Sequence, residues 1–277
     1  MGIIIEIGDA IFTKYRLGKY YLPRNIQKKW LLKPHSIQGH KMYLDTTDSL
    51  GLSSSEFHEN FETQLVRNLI KKGDTVLDIG ANIGYYTLIF AKLVGREGKV
   101  FAFEPDLENF NLLKKNVKIN GYRNIILVNK AVSNKNGKEK LYISIYNKGD
   151  HRIFDVNDGR KYIEIETIKL DDYFKNYNGN IDFIKIDVQG AEGGVIEGML
   201  NLLEKNRDLK ILSEFVPSLS TLFGFKPKEF FNMLLKNGFK PNYIDEKRQK
   251  IFPIIVDDWI KKGFFDKINY VNILFKK

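Results

Sequence analysis

Two acidic residues, Asp78 and Glu104, with a glycine turn between them, are the parts of this chain whose types and spacing suggest the most specific chemistry. Asp78 lies in a β-branched run, Thr75 to Ile79, just ahead of the turn Gly80-Ala81-Asn82-Ile83-Gly84. An apolar stretch of helical period, Tyr85 to Leu93, follows it. Strand, glycine turn and helix bring backbone N–H groups to a nucleotide-like ligand at the carboxyl end of a strand. A carboxylate here is a poor neighbour for a pyrophosphate, because like charges repel. It suits a ligand with an ammonium and a sulfonium, which describes S-adenosylmethionine. Glu104, followed by Pro105, ends the next run from Lys99, where an acid accepts hydrogen bonds from a ribose diol. Methyltransferases and NAD enzymes share that acid, so Glu104 alone argues only for an adenosine cofactor. Asn82 stands where a dinucleotide fingerprint has glycine and, with Asp78, disfavours an NAD dehydrogenase.

A second titratable group lies in Lys185-Ile-Asp187-Val-Gln189-Gly-Ala-Glu192. Lys185 and Asp187 are two apart on a strand and project to the same side. The apolar residues before them put both partly inside, where a charge needs its partner. The plainer reading is a salt-bridged strand end without chemistry. Glu214, in Leu212-Ser213-Glu214-Phe215, ends another apolar strand, and a carboxylate so placed is unfavourable unless used or paired. If a proton must be removed from an acceptor, Asp187 is the first candidate base and Glu214 the second, with Lys185 tuning the nearer carboxylate. His58 and His151 read as surface residues. The four histidines show no ligand spacing, so no dedicated metal site is expected.

The elements that must hold these residues follow from pattern. Ser55 caps a helix over Glu56 to Lys72 that delivers the chain into the Asp78 strand. Leu107 to Ile119 is a helix stopped by Asn120-Gly121, and Asn124 to Asn129 a third strand. Glu139 to Tyr146 and Tyr162 to Leu170 alternate as an inserted hairpin around a polar loop. Alternation of strand and helix resumes with strand Ile181 to Asp187, helix Glu192 to Glu204, strand Leu209 to Phe215, helix Lys228 to Asn237 and strand Phe239 to Ile244. Tyr270 to Phe275 reads as a last, edge-like strand. The expectation is an α/β fold: a doubly wound, Rossmann-like sheet of seven strands with an inserted β-hairpin. Residues 1–50 are expected as a helical and β extension, with short helices and an aromatic group (Tyr15, Tyr20, Tyr21, Trp30) before residue 35, and residues 51–277 as the cofactor-binding domain.

Composition sets limits. A chain of 277 residues without cysteine has no disulfide, thiolate nucleophile or cysteine-based metal site. No run of about twenty apolar residues offers a membrane span. Glu6 and Asp9 at the start are unlike a signal peptide, which makes a cytoplasmic protein the expectation. The net charge of +10 sits on the flanks: residues 1–50 carry eight basic against four acidic side chains, and residues 226–277 twelve against six. Without a compact Arg-rich block interleaved with aromatics, solvated lysine faces explain this better than nucleic acid.

The motifs Asp78-Ile-Gly-Ala-Asn-Ile-Gly-Tyr-Tyr, Phe103-Glu-Pro, Asn129-Lys-Ala-Val, Leu170-Asp-Asp and Lys185-Ile-Asp-Val-Gln-Gly-Ala-Glu, in this order, resemble the FkbM family of S-adenosylmethionine-dependent methyltransferases over about residues 40–240. The resemblance implies a class I methyltransferase fold and methylation of an oxygen, often a hydroxyl of a sugar or natural product. It implies cofactor contacts from Asp78, Gly80, Ala81, Asn82, Gly84, Tyr85, Glu104, Pro105, Asn129, Lys130 and Ala131, with Asp187 near the transferred methyl. The family usually has glutamate where this chain has Gln189, and a neutral amide cannot act as a base. An RNA methyltransferase using the basic flanks, or a non-catalytic cofactor-binding module, are the alternatives. Acceptor contacts are expected from the loops Asp45–Ser55, Gly149–Gly159 and Val216–Phe225.

Overall fold

A computed structural model describes residues 33–53 and 55–277. A short hairpin, β1 (His35–Ile37) and β2 (His40–Met42), and helix α1 (Asn60–Leu69) lead into β3 (Thr75–Ile79), α2 (Tyr85–Val94), β4 (Lys99–Phe103), α3 (Leu107–Asn120) and β5 (Ile125–Val128). A small sheet follows, made of β6 (Ala131–Val132), β7 (Gly137–Tyr142) and β8 (Tyr162–Ile168). Next come α4 (Leu170–Tyr173), β9 (Phe183–Ile186), α5 (Glu192–Glu197), α6 (Leu200–Lys205) and β10 (Lys210–Phe215). The chain ends with α7 (Pro217–Leu222), α8 (Pro227–Lys236), β11 (Lys240–Asp245), β12 (Lys250–Pro253), α9 (Val256–Lys261) and β13 (Val271–Lys276).

The main sheet runs β12-β11-β13-β10-β9-β3-β4-β5. Its five central and right-hand strands, β10, β9, β3, β4 and β5, are parallel. Parallel strands covered on both faces need apolar side chains on both, and all five residues of β3 are buried, Asp78 among them. One apolar layer joins β3 to α1, α2 and α3 through Val66, Leu88, Phe90 and Leu113. The other joins the opposite face to α5, α6 and α8 through Val195, Leu203, Phe230 and Phe231. The chain winds from β3 outward to β5 and returns to β9, which pairs β3 on its other side with Lys185 opposite Asp78. That reversal opens a crevice at the carboxyl ends of β3 and β9. The fold is therefore the expected doubly wound class I methyltransferase arrangement, enlarged by one strand.

Several details differ from the sequence reading. β13 is not an edge: it lies between β10 and β11, antiparallel to both. Its residues Val271 to Phe275 are buried without a break, which is the pattern of a strand covered on both faces, not of an edge. The eighth strand, β12, extends the sheet through an antiparallel hairpin with β11. The helix expected over Glu192 to Glu204 is two short ones, α5 and α6. At the break a Cβ on Gly198 would lie 2.2 Å from the carbonyl oxygen of Ser133, so the chain turns where two backbones touch. The inserted hairpin is present as β7 and β8 but gains β6, parallel to β8, as a third strand. Ser55 does not cap α1, whose N-cap is Glu59 in a left-handed conformation (φ 51°). Residues Val216–Phe225 are not a loop but carry α7.

The hairpin of β1 and β2 is tied to α3. Asn116 Oδ1 accepts from Tyr43 N at 2.7 Å, and its amide donates to the carbonyls of Tyr43 and Ile83. The short helices expected before residue 35, and the aromatic group with them, fall up to residue 32 outside the described residues. Among the described residues no helix is long and apolar enough to cross a membrane.

Candidate active site

The turn after β3 is shaped by backbone contact. Gly80 has φ +82°, and a Cβ there would lie 1.9 Å from the carbonyl oxygen of Asp187, so the tips of β3 and β9 meet with no room for a side chain. Gly84 has φ +94°, and its Cβ would meet Leu113 Cδ1 at 2.6 Å, which lets α2 start directly against α3. Between them the N–H groups of Gly80 and Ala81 donate to the carbonyl of Phe103 (3.0 and 2.9 Å), and that of Asn82 donates to Glu104 Oε2 (2.8 Å).

Glu104 is buried and its second oxygen accepts from Asp106 N at 2.9 Å. Burial pushes its carboxyl up to about 8, against the pull of these two N–H groups. Asn129 donates its amide to the carbonyls of Glu104 and Pro105 (2.8 and 3.1 Å), fixing the strand tip from behind. Asp78 accepts a 2.5 Å bond from Thr87 Oγ1 on α2. Burial raises its carboxyl to about 6, with the Thr87 bond opposing.

The second cluster is held by side chains. Lys185 is buried, with Nζ 3.1 Å from Asp187 Oδ2 and 4.6 Å from the centre of the Tyr86 ring. Burial opposes its charge, but Asp187, Glu62, Glu59 and Asp78 around it outweigh burial and raise its pKa. Gln189 donates through Nε2 to Asp187 Oδ1 and to Glu214 Oε1, each at 2.9 Å. Asp187 thus has both oxygens taken. Burial works against its charge, yet Lys185 and the Gln189 amide keep its carboxyl below the ordinary range. Glu214 goes the other way: burial, then the charges of Asp187 and Glu59, push it well above the ordinary range. Glu62 is likewise raised, by burial and then by Glu59.

Both clusters open into one cavity of about 380 Å³. Of the residues singled out from sequence, Asp78, Gly80, Ala81, Asn82, Tyr85, Glu104, Pro105, Lys130, Ala131, Lys185, Asp187 and Glu214 line it. Gly84 and Asn129 do not; they act through Leu113 and through the Glu104–Pro105 backbone. His58 and His151, expected on the surface, both line the cavity. His151 Nδ1 accepts from Ser144 N at 3.0 Å, and burial lowers its pKa. Glu59, Tyr86, Lys148, Gln189 and Tyr270 also line it without having been singled out as site residues. Glu59 had one signal, a carboxylate next to His58 at a helix start. Tyr270 had none, because only the central placement of β13 brings it there. The loops Asp45–Ser55 and Gly149–Gly159 contribute Ser49, Leu50, Gly149, His151 and Ile153, whereas Val216–Phe225 contributes nothing. Among the described residues no group of acidic and histidine side chains is arranged to hold a metal ion.

The residues present fit S-adenosylmethionine. Asp78 and Glu104 stand at the tips of adjacent strands and line the same cavity. Pro105, Ala131, Leu141 and Ile153 give it an apolar wall on the Glu104 side, suited to a purine.

Comparison with known proteins agrees. The Methyltransferase FkbM domain matches residues 78–241. A Saccharolobus solfataricus protein described as "Probable cobalt-precorrin-6B C(15)-methyltransferase (decarboxylating)" is 34% identical over 135 residues, 48% of this chain and 65% of that one. The 2-O-methyltransferase NoeI of Sinorhizobium fredii is 30% identical over 161 residues, 52% of this chain and 65% of that one. The chain thus spans less than two thirds of the length of these relatives. Among solved structures, a SAM-dependent methyltransferase from Aquifex aeolicus is similar with a TM-score of 0.43 and 14% identity, covering 92% of this chain and 98% of that one. With the family domain matched over more than half of the sequence, and its motifs gathered around one crevice, the chain belongs to the FkbM family of S-adenosylmethionine-dependent methyltransferases.

Proposed function

We propose that this methyltransferase acts on oxygen, transferring the methyl group to a hydroxyl of a sugar, glycan or other small molecule. The observation that carries this reading is the pair Asp187 and Glu214, joined by the Gln189 amide beside the cofactor turn, one carboxylate held below the ordinary range by Lys185 and the other pushed well above it by burial. S-adenosylmethionine supplies a methyl group already activated on a cationic sulfur. The chain's own residues then have two tasks, alignment and proton removal. Alignment is worth up to about 7–11 kcal/mol in well-oriented cases. A hydroxyl is a weak nucleophile and needs a base.

The base is Glu214, not the first candidate Asp187. A carboxylate with both oxygens occupied by an ammonium and an amide is a weak base, which describes Asp187. Proton affinity favours Glu214, whose carboxyl burial and the neighbouring Asp187 charge push upward, and it has one oxygen not taken by Gln189. Asp187 serves as the fixed negative charge and Lys185 keeps it so. S-adenosylmethionine, when bound, would supply the methyl group and leave as S-adenosylhomocysteine, and Glu214 would take the acceptor's O–H proton. Glu59 and Glu214 both line the cavity and act electrostatically on Tyr270, and two carboxylates there disfavour a phosphodiester chain. This speaks against RNA as acceptor. A likeness to the 2-O-methyltransferase NoeI is consistent with a hydroxyl acceptor.

The test is incubation with methyl-labelled S-adenosylmethionine and fractionated cell extract. Label is expected in a glycan or small-molecule fraction, in a form that resists mild alkali as a methyl ether does. Label in RNA, or label released by mild alkali as from an ester, would overturn the reading.

A further inference from the structure

Gln189 occupies an unusual position. Its backbone is left-handed (φ 53°), a conformation that a non-glycine side chain adopts only under constraint. Gly190 follows with φ +102°, packed so that a Cβ would lie 2.4 Å from Leu219 Cβ. This tight double bend turns the Gln189 amide back between β9 and β10. Its two N–H bonds go to two different carboxylates, on Asp187 and on Glu214. Only the NH₂ end of the amide is a donor, so its orientation is forced: the carbonyl end would repel both acids. The register keeps these groups together, since β9 and β10 are paired neighbours.

We propose that Gln189 is a positioning residue that ties Asp187 and Glu214 into one unit, giving one amide N–H to each, and so aims the remaining oxygen of Glu214 at the acceptor hydroxyl. The role rests on the methyl-transfer reading above. The two N–H bonds separate acids that would otherwise share a proton, and each stabilises the charged form of its partner. Without them the proton would shuttle between the acids, and the base would be neither fixed in place nor fixed in charge. A glutamate at 189 would bring a third carboxylate to the same point and offer no donor in its charged form.

The test needs no acceptor. The full chain is saturated with S-adenosylhomocysteine and the protonated-carboxyl stretch is followed by infrared difference spectroscopy as pH is raised. Glu214→Gln identifies the Glu214 band by removing it. In Gln189→Glu that band's midpoint is expected to move up by about one pH unit or more, as close like charges dictate. In Gln189→Met, similar in shape but without donors, it is expected to move up by less. A Glu214 midpoint unmoved in both variants overturns the role while leaving methyl transfer intact. Loss of S-adenosylhomocysteine binding in both variants assigns Gln189 to the cofactor's seat and overturns it too. Failure of the unaltered chain to bind S-adenosylhomocysteine removes the methyl-transfer reading, and the role with it.

Discussion

The crevice holds its acids in two different ways. On the cofactor side, Glu104 is gripped by the main-chain N–H groups of Asn82 and Asp106, and Asp78 by one hydroxyl from the helix that follows its own strand. On the proposed acceptor side, Asp187 and Glu214 are gripped by side chains, the Lys185 ammonium and the Gln189 amide. The main-chain donors to Glu104 cannot be substituted, so that half of the first arrangement tolerates change only where no side chain fills the turn, while Asp78 depends on the single Thr87 hydroxyl. Side-chain donors can be exchanged one residue at a time, which makes the second arrangement the place where charge, and with it chemistry, is adjustable.

The largest expected effect breaks the cofactor side. Gly80→Ala places a methyl 1.9 Å from the Asp187 carbonyl oxygen, a contact no relaxation of one side chain relieves. Left-handed strain alone is on the order of 1–3 kcal/mol, and the clash parts β3 from β9. Affinity for S-adenosylhomocysteine, measured by calorimetry, should fall more than about a hundredfold, RT ln 100 being roughly 2.7 kcal/mol. Gly121→Ala is the control: φ is +71° there but nothing lies within 4 Å, so it should cost only about 1 kcal/mol and leave binding unchanged. Equal loss of binding in both variants would show that backbone strain matters and strand contact does not.

Glu214→Gln tests the other side. Removing a base lowers turnover by about 10²–10⁴-fold, and the amide still fills the space. Cofactor affinity should change less than about threefold, since the role proposed for Glu214 is on the acceptor and not on the cofactor. Asp78→Asn should do the reverse, weakening S-adenosylhomocysteine binding because a charged partner of the ligand is lost. Steady-state rates on the identified acceptor, alongside binding titrations, separate the two. A common loss of affinity in both would mean the crevice works as one site without a division.

This division also explains what the sequence disclosed. Asp78, the glycine turn and Glu104 are legible because each depends on its own strand end, a local pattern of apolar run, turn and acid. The parallel core strands are legible for the same reason. β13 was misread because its place in the sheet depends on pairing with β10 and β11, which no local pattern states. Tyr270 follows it to the cavity, and Asn272 stands opposite Glu214 in the register. Lys185, Asp187 and Glu214 could be named by residue type. Their ranking could not, because it turns on which oxygens Gln189 and Lys185 occupy. Gln189 looked like a missing acid in the sequence and proves to be the donor that joins two acids. His58 looked like a surface residue because the helix that packs on it, α2 through Tyr85, is remote in the chain, and His151 because it sits in the polar loop of the β7–β8 insertion.

A smaller effect sharpens the cofactor side. The ribose contact proposed for Glu104, whose carboxyl is pushed up to about 8, needs the ionised form to accept both hydroxyls. Affinity for S-adenosylhomocysteine should therefore rise as pH goes from 6 to 8, by at most tenfold per unit for one proton released. Calorimetry in two buffers of different ionisation enthalpy should detect that proton. Glu104→Gln should bind more weakly and without the pH slope. A flat profile in the unaltered chain would mean that Glu104 is already charged and the ribose sits elsewhere.

The smallest effect concerns stability, and its sign follows from the same burial. Glu104 and Glu192 are held near 8 by burial, where an ordinary glutamate lies at 4.5, and Asp78 near 6 against 3.8. In the folded chain these groups keep protons that the unfolded chain has released. Their stabilising contribution is complete below the ordinary values and is lost as pH rises through the folded ones. Asp187, held low, runs opposite, but its contribution is present above its ordinary value of 3.8 and lost only in stronger acid. Between pH 5 and 8 the raised acids prevail, so the ligand-free melting temperature should fall as pH rises. Glu192 isolates the effect, because it accepts Gly190 N at 2.8 Å and Gln would keep that bond without a titrating proton. Scanning calorimetry of Glu192→Gln should show a shallower fall than the unaltered chain between pH 6 and 8. If instead the unaltered melting temperature is flat or rises over that window, the buried acids titrate as ordinary surface groups. The contrast between the two sides of the crevice would then rest on geometry alone.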